Sequence, residues 1–222
     1  MPPVQQIEYP GLQKELQSQP STEYVPKPEG GYQLYQAAGK LKGKKALITG
    51  GDSGIGRATA VLMAMEGADI FFTHLPEEEE DAKVTTELVE KYGQKAYSLA
   101  VNLKPKENCR KTIDEAMSKL GHINILFNNH AYQMQTPDIL SLPEDQWLHT
   151  FDTNIHPFYY LSKYALENMQ KGDTIINDAS INAYIGRPDL LDYTSTKGAI
   201  VAFTRGLSNQ FVHKGIRVNC VA

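Results

Sequence analysis

The sequence predicts an α/β protein built on a doubly wound parallel sheet in three layers. Three observations carry this. From Leu41 onward short apolar runs alternate with longer amphipathic ones, the first apolar run passes straight into the glycine-rich stretch TGGDSGIG (Thr49 to Gly56), and the chain closes on a further apolar run, Arg217 to Val221.

Taken in order, Ala46 to Ile48 reads as a strand, Arg57 to Gly67 as a helix and Asp69 to Thr73 as a second strand. Glu78 to Tyr92 follows as a helix with Val84 and Leu88 on one face, its acidic start Glu77 to Asp81 suiting a helix N-terminus. Ala96 to Val101 is a third strand, Glu107 to Leu120 a helix, and Ile123 to Phe127 a fourth strand. Glu144 to Asn168 is largely helical with an interruption near Pro157, Thr174 to Ala179 is a fifth strand, and Ser195 to Val212 is a helix. Arg217 to Val221 is the sixth strand.

Residues 1–40 form an extension rich in Pro, Gln, Glu and Tyr, and residues 41–222 form the domain. Pro2, Pro3, Pro10, Pro20, Pro26 and Pro28 break any helix in the extension. Its tyrosines, Tyr9, Tyr24, Tyr32 and Tyr35, leave two arrangements open: a segment packed on the body or on a neighbouring subunit, or a loose tail.

A chain of 222 residues with a formal net charge of -4 is long enough for one real core, and it lacks the basic field that a nucleic acid or an anionic membrane requires. Cys109 and Cys220 allow at most one disulfide and sit in no metal-like spacing, and the histidines share no ligand spacing with carboxylates or thiols, so no metal is expected. With no bilayer-length apolar stretch and no targeting segment, the expected compartment is the cytoplasm.

The stretch Thr49 to Gly56 joins a strand to a helix. Glycines at 50, 54 and 56 let the backbone turn tightly and approach a pyrophosphate, whose charge is stabilised by amides at the helix N-terminus; Asp52, Ser53 and Ile55 complete the turn. Tyr193 and Lys197 stand four apart at the start of a helix, which places both side chains on one face. A lysine ammonium beside a phenol stabilises the phenolate and is expected to lower its pKa.

TGGDSGIG, followed by Asn128-Asn129, Ser180 and YTSTK (Tyr193 to Lys197), resembles the classical short-chain dehydrogenase/reductase (SDR) family over Leu41 to Ala222, and so implies a Rossmann-type fold. The proline-rich extension and HLPEEEEDA resemble a subgroup with an N-terminal arm that includes stress-associated and sugar- or polyol-oxidising members. The resemblance implies that Ser180 hydrogen-bonds the substrate oxygen, Tyr193 gives or takes its proton, Lys197 also holds the nicotinamide ribose, and Asn154 holds a water of the proton relay. It implies reversible hydride transfer between a small secondary alcohol or ketone and a nicotinamide cofactor, and a homodimer or homotetramer formed through the helices that carry Asn154 and Lys197.

Cofactor choice turns on the end of the second strand, where an acid would receive the adenosine ribose hydroxyl and repel a 2'-phosphate. His74 occupies that position, which favours NADP(H); the loop carries no Arg or Lys, and Glu77 to Asp81 oppose a phosphate unless they turn away, so NAD(H) stays open. Asn102 and Leu103 match the pair that contacts adenine.

Three departures stand out. Asn129 is followed by His130 and Ala131 where the family has Ala-Gly, adding bulk beside the ribose. Asp178, two residues before Ser180 and on its face by strand alternation, leaves two readings open: a carboxylate solvated at the strand end, or one that raises the cost of a nearby phenolate. The family's sixth strand also leads into a Pro-Gly segment, a substrate lid and a seventh strand, so the resemblance implies a chain lacking that last part of the fold. The second functional class is therefore a truncated or degenerate subunit that binds cofactor or partner subunits without turnover.

Overall fold

The computed structural model describes residues 11–222, so Pro2, Pro3, Tyr9 and Pro10 of the extension lie outside the described residues. The chain divides after Asn102 into two compact units.

In the first unit, β3 (Lys45–Ile48), β4 (Asp69–His74) and β5 (Ala96–Ala100) are joined by helices α1 (Gly54–Met65) and α2 (Glu79–Glu90). β4 lies between the other two, in parallel register with Lys45 opposite Asp69 and Ile70 opposite Ala96. Ala46, Leu47, Ile48, Ile70 and Phe72 are fully buried, as expected of strands covered on both faces. Ala60, Val61 and Ala64 of α1 and Val89 of α2 meet them in this core. The first helix starts three residues earlier than the sequence indicates, with the extended Ser53 as its N-cap.

Residues 11–40 of the arm pack onto this unit. β1 (Tyr24–Pro26) and β2 (Tyr32–Leu34) form an antiparallel hairpin, with Tyr24 opposite Leu34. Its turn uses Gly30 and Gly31 at φ 97° and 77°, a conformation only glycine adopts cheaply. Glu23 accepts from Lys91 and from the Tyr92 hydroxyl just past α2. Glu66, the C-cap of α1, accepts from the Tyr35 hydroxyl and from the N–H groups of Ala38 and Lys40. These donors, the Tyr35 hydroxyl first, hold its carboxyl down at about 2. The arm therefore packs on the chain's own first unit. The hairpin had a local signal, two short tyrosine-bearing runs separated by Lys-Pro-Glu-Gly-Gly, that proline counting hid.

In the second unit, β6 (Ile125–Asn128), β7 (Thr174–Asp178) and β8 (Arg217–Val221) are parallel with β7 in the middle, Asn128 facing Asn177 and Asp178 facing Val221. Around them run α3 (Lys106–Leu120), α4 (Glu144–Asn154), α5 (His156–Ala165), the short α6 (Asn182–Ile185) and the long α7 (Leu191–Phe211). Leu126, Leu161, Ile175 and Ile200 are fully buried, and Phe158 packs with Ala179, Ile200 and Val201. The helical run breaks at Ile155, two residues before Pro157, whose ring can stand in a first helical turn but not in a helix interior. α7 starts four residues earlier than the sequence indicates, which brings Tyr193 inside its first turn.

Candidate active site

In the first unit, the end of β3 opens into Thr49 to Gly56. Gly50 and Gly54 take φ of 61° and 52°, so a side chain at either would be strained. Gly51 has an ordinary φ, yet a Cβ there would stand 2.6 Å from that of Phe72. Gly51 is thus fixed by packing, and nothing in the spacing of the other glycines marked it. The turn is tied to β4 by Gly51 N–H to Thr73 O at 3.0 Å. On its far side Arg57 Nε and Thr85 Oγ1 both donate to Asp52 O, at 2.7 and 2.9 Å. Arg57 Nη2 meets Asp81 Oδ1 at 2.6 Å in a buried ion pair.

These residues fit a dinucleotide phosphate. Gly54 stands at the start of a twelve-residue helix with nothing within 4 Å of where its Cβ would be, so backbone and helix N-terminus can approach an anion. Asp52 and Gly56 are buried and Ile55 is exposed. Asp52 Oδ2 is buried without a partner, and burial pushes that carboxyl up.

His74 ends β4 buried, with Nδ1 2.8 Å from Leu75 O and Nε2 3.6 Å from Glu79. Glu78 Oε2 accepts from Leu75 N–H at 3.1 Å; loss of solvent and then the nearby Asp52 charge push its carboxyl up to about 7. A carboxylate, Glu79, therefore stands beside the position His74 leaves without an acid. Asn102 is exposed at the close of this unit, and Leu103 is buried at the start of the next.

The second unit holds Asn129, His130, Asn154, Ser180, Tyr193 and Lys197. Asn154 is fully buried on α4. Its Oδ1 accepts from Tyr132 N–H at 2.7 Å, and its Nδ2 donates to Tyr132 O at 2.9 Å and to Thr196 Oγ1 at 3.1 Å. It locks the loop after β6 to α7. Ser180 directly follows Ala179 at the carboxyl end of β7; its Oγ accepts from Asn182 N–H at 3.1 Å, and its hydroxyl acts to lower the pKa of the Tyr193 phenol.

Lys197 is fully buried, one turn beyond Tyr193, with Nζ 5.4 Å from the Tyr193 ring centroid. That ammonium donates to Asp178 O at 2.7 Å and lies 3.8 Å from Asp178 Oδ2. The phenol pKa is raised, not lowered: burial comes first, the Asp178 carboxylate adds to it, and the Ser180 hydroxyl opposes both. The expected lowering by lysine fails chiefly because the phenol is buried, where a phenolate is poorly solvated, and the Asp178 carboxylate adds to that. Burial also lowers the Lys197 pKa, against the pull of Asp178.

His130 turns toward α4 and α5, with Nε2 3.1 Å from Thr153 O and its ring 5.3 Å from that of Phe158. Loss of solvent, then the Lys197 charge, push it down to about 4, so it stays neutral at neutral pH. Asp192 is a supporting residue that the sequence reading missed. Its Oδ1 accepts the Tyr193 N–H at 2.8 Å, and its Oδ2 accepts from Thr150 at 2.7 Å and Gln146 at 3.1 Å. An acid one residue ahead of the tyrosine, in the first turn of a helix, was the available signal. Among the described residues no group of His, Cys, Asp and Glu could hold a metal ion, and no helix is long and apolar enough to cross a membrane.

A glycine turn that can receive a phosphate and a phenol beside a buried lysine together mark a class, the dinucleotide-dependent dehydrogenases. Within that class the chain belongs to the short chain dehydrogenase family, which matches residues 44–222. It is 48% identical to an uncharacterized oxidoreductase of Schizosaccharomyces pombe, covering 100% of this chain and 76% of the relative. It is 45% identical to the glucose and ribitol dehydrogenase of Daucus carota, over 93% of this chain and 73% of that one. A short chain dehydrogenase from Burkholderia cenocepacia, solved in complex with NADP, superposes with a TM-score of 0.78 at 27% identity, covering 82% of this chain and 74% of its own. The fold is thus the Rossmann-type α/β fold of that family, as its sequence pattern indicated.

Proposed function

We propose that this chain is an NAD(P)(H)-dependent oxidoreductase interconverting a secondary alcohol and a ketone, with Tyr193 as general acid and base. The observation that carries the reading is the fully buried Lys197 with its Nζ 5.4 Å from the centroid of the Tyr193 ring. Gly50, Gly54, Ile55 and Gly56 would hold the dinucleotide phosphates, Asn102 and Leu103 the adenine, and Asn129, Tyr193 and Lys197 the nicotinamide ribose. When bound, the cofactor supplies or accepts the hydride. Ser180 orients the substrate oxygen. Tyr193 donates its proton to that oxygen as a carbonyl is reduced and takes it back as an alcohol is oxidised. Lys197 balances the phenolate charge, and Asn154 keeps the loop after β6 in place.

The test mixes the folded chain with NADPH or NADH and a panel of ketones and sugars, and with the oxidised cofactors and ribitol, a panel suggested by the carrot relative's name. Carbonyl-dependent loss of reduced nicotinamide supports the reading. Cofactor binding with no turnover of any member favours a non-catalytic subunit.

Both NADP(H) and NAD(H) fit the loop, and Glu78 is proposed to set their ratio. With its carboxyl at about 7, flanked by Asp52, Asp81 and Glu77, it is largely neutral at pH 6 and charged at pH 8. Its repulsion of a 2'-phosphate therefore appears as pH rises through 7. NADP(H) affinity is expected to fall relative to NAD(H) between pH 6 and pH 8, and Glu78→Gln to flatten that change, both read by calorimetric titration.

We also propose a homodimer or homotetramer through α4 and α7. Trp147 and Leu148 of α4 and Ala202 and Gly206 of α7 are all exposed, which supports a helix face suited to close packing. Sedimentation equilibrium is expected to give twice or four times the chain mass; a monomer would overturn this.

A further inference from the structure

The arm reaches the phosphate loop through one side chain. Gln13, in a short 3-10 turn, is 6% exposed. Its side-chain Oε1 accepts the Gly54 N–H at 2.7 Å, and its own N–H donates to Asp81 Oδ2 at 2.6 Å. Asp81 is the carboxylate paired with Arg57, and Arg57 Nε donates to Asp52 O. The arm therefore closes a buried ring of contacts that grips the glycine turn at two points two residues apart, the carbonyl of Asp52 and the amide of Gly54.

We propose that Gln13 is a positioning residue for the dinucleotide phosphates, acting through Gly54. Rotation of the Gly54 peptide is what a turn at positive φ permits most readily, and a hydrogen bond to its N–H fixes that rotation before a ligand arrives. Gln13 takes the first amide of the helix, so the anion meets the amides that follow it in a set orientation. Because a backbone amide is bonded to a side chain, only a residue with an acceptor at that reach can do this; shape alone does not suffice. The proposal rests on the dinucleotide reading of the loop, not on the assignment of Tyr193.

The test compares the full chain with Gln13→Met, which keeps the volume and loses the oxygen, and with Gln13→Ala. Calorimetry is run with ADP, which carries the phosphates, and with adenosine, which does not. Both variants are expected to bind ADP about 3- to 10-fold more weakly, the range set by one net hydrogen bond, and adenosine as the parent does. Folding is checked by urea denaturation; should Gln13→Ala fail to fold, Gln13→Met decides. Equal ADP affinity in parent and variant overturns the proposal. Tighter ADP binding by the variant also overturns it, and would make the arm a competitor of the phosphate. A parent that binds ADP but turns over no alcohol or ketone refutes the oxidoreductase reading and leaves this one standing; a parent that binds no ADP refutes both.

Discussion

Tyr193→Phe is expected to lower kcat by about 10²- to 10⁴-fold, the span over which a positioned proton donor acts, while weakening the dinucleotide by no more than about tenfold, the ~1.4 kcal/mol of one lost ribose contact. The phenyl ring is retained, so its packing near Lys197 survives. Only the hydroxyl is lost. Lys197 keeps its bond to Asp178 O and its place beside the Asp178 carboxylate, because neither contact involves Tyr193. Ser180 keeps the bond from Asn182 N–H and so stays oriented without the phenol. The variant therefore separates the proton step from binding. Single-turnover rates and a calorimetric titration on the same preparation check both halves, and unchanged kcat would remove Tyr193 from the chemistry.

Arg57→Met is expected to destabilise the chain by about 3–5 kcal/mol, the usual result of leaving one member of a buried ion pair alone. Arg57 and Asp81 are 4% and 2% exposed, and the substitution would strand the Asp81 charge and remove a donor from Asp52 O. Urea denaturation should show the midpoint fall with the slope unchanged. Replacing Asp81 by Leu in the same chain should recover part of the loss but not all, since the Gln13 N–H would then lack its acceptor. A loss under about 1 kcal/mol for Arg57→Met would show that water reaches the pair.

Much of this architecture was readable in one dimension. Parallel strands buried on both faces are short apolar runs, so β3, β4 and β7 declared themselves, and the glycine turn and the Tyr193–Lys197 spacing are local patterns. What escaped depends on partners far apart in sequence. Gln13 lies 41 residues from Gly54, and its role could not be seen from either end. The phenol of Tyr193 was misjudged for a related reason. A sequence shows that a lysine is four residues away, but it does not show how far the phenol is buried, which is the largest cause of its raised pKa. The starts of α1 and α7 were placed late because Gly54 and the polar run Asp192 to Ser195 look like loop in the sequence.

The two anchors of the arm fall at opposite ends of one element. Gln13 holds the amide of Gly54, where α1 begins, and Tyr35, Ala38 and Lys40 hold Glu66, where α1 is capped, roughly 18 Å away along a helix of twelve residues. The arm is a splint. A helix tied at one end can slide or tilt about that end, whereas one tied at both transmits displacement as strain in a second strip of chain. Freedom of the glycine turn is thereby coupled mechanically to residues 35–40, which never come near a phosphate, and amide exchange at the first turn of α1 becomes a gauge of how well its distant end is fastened.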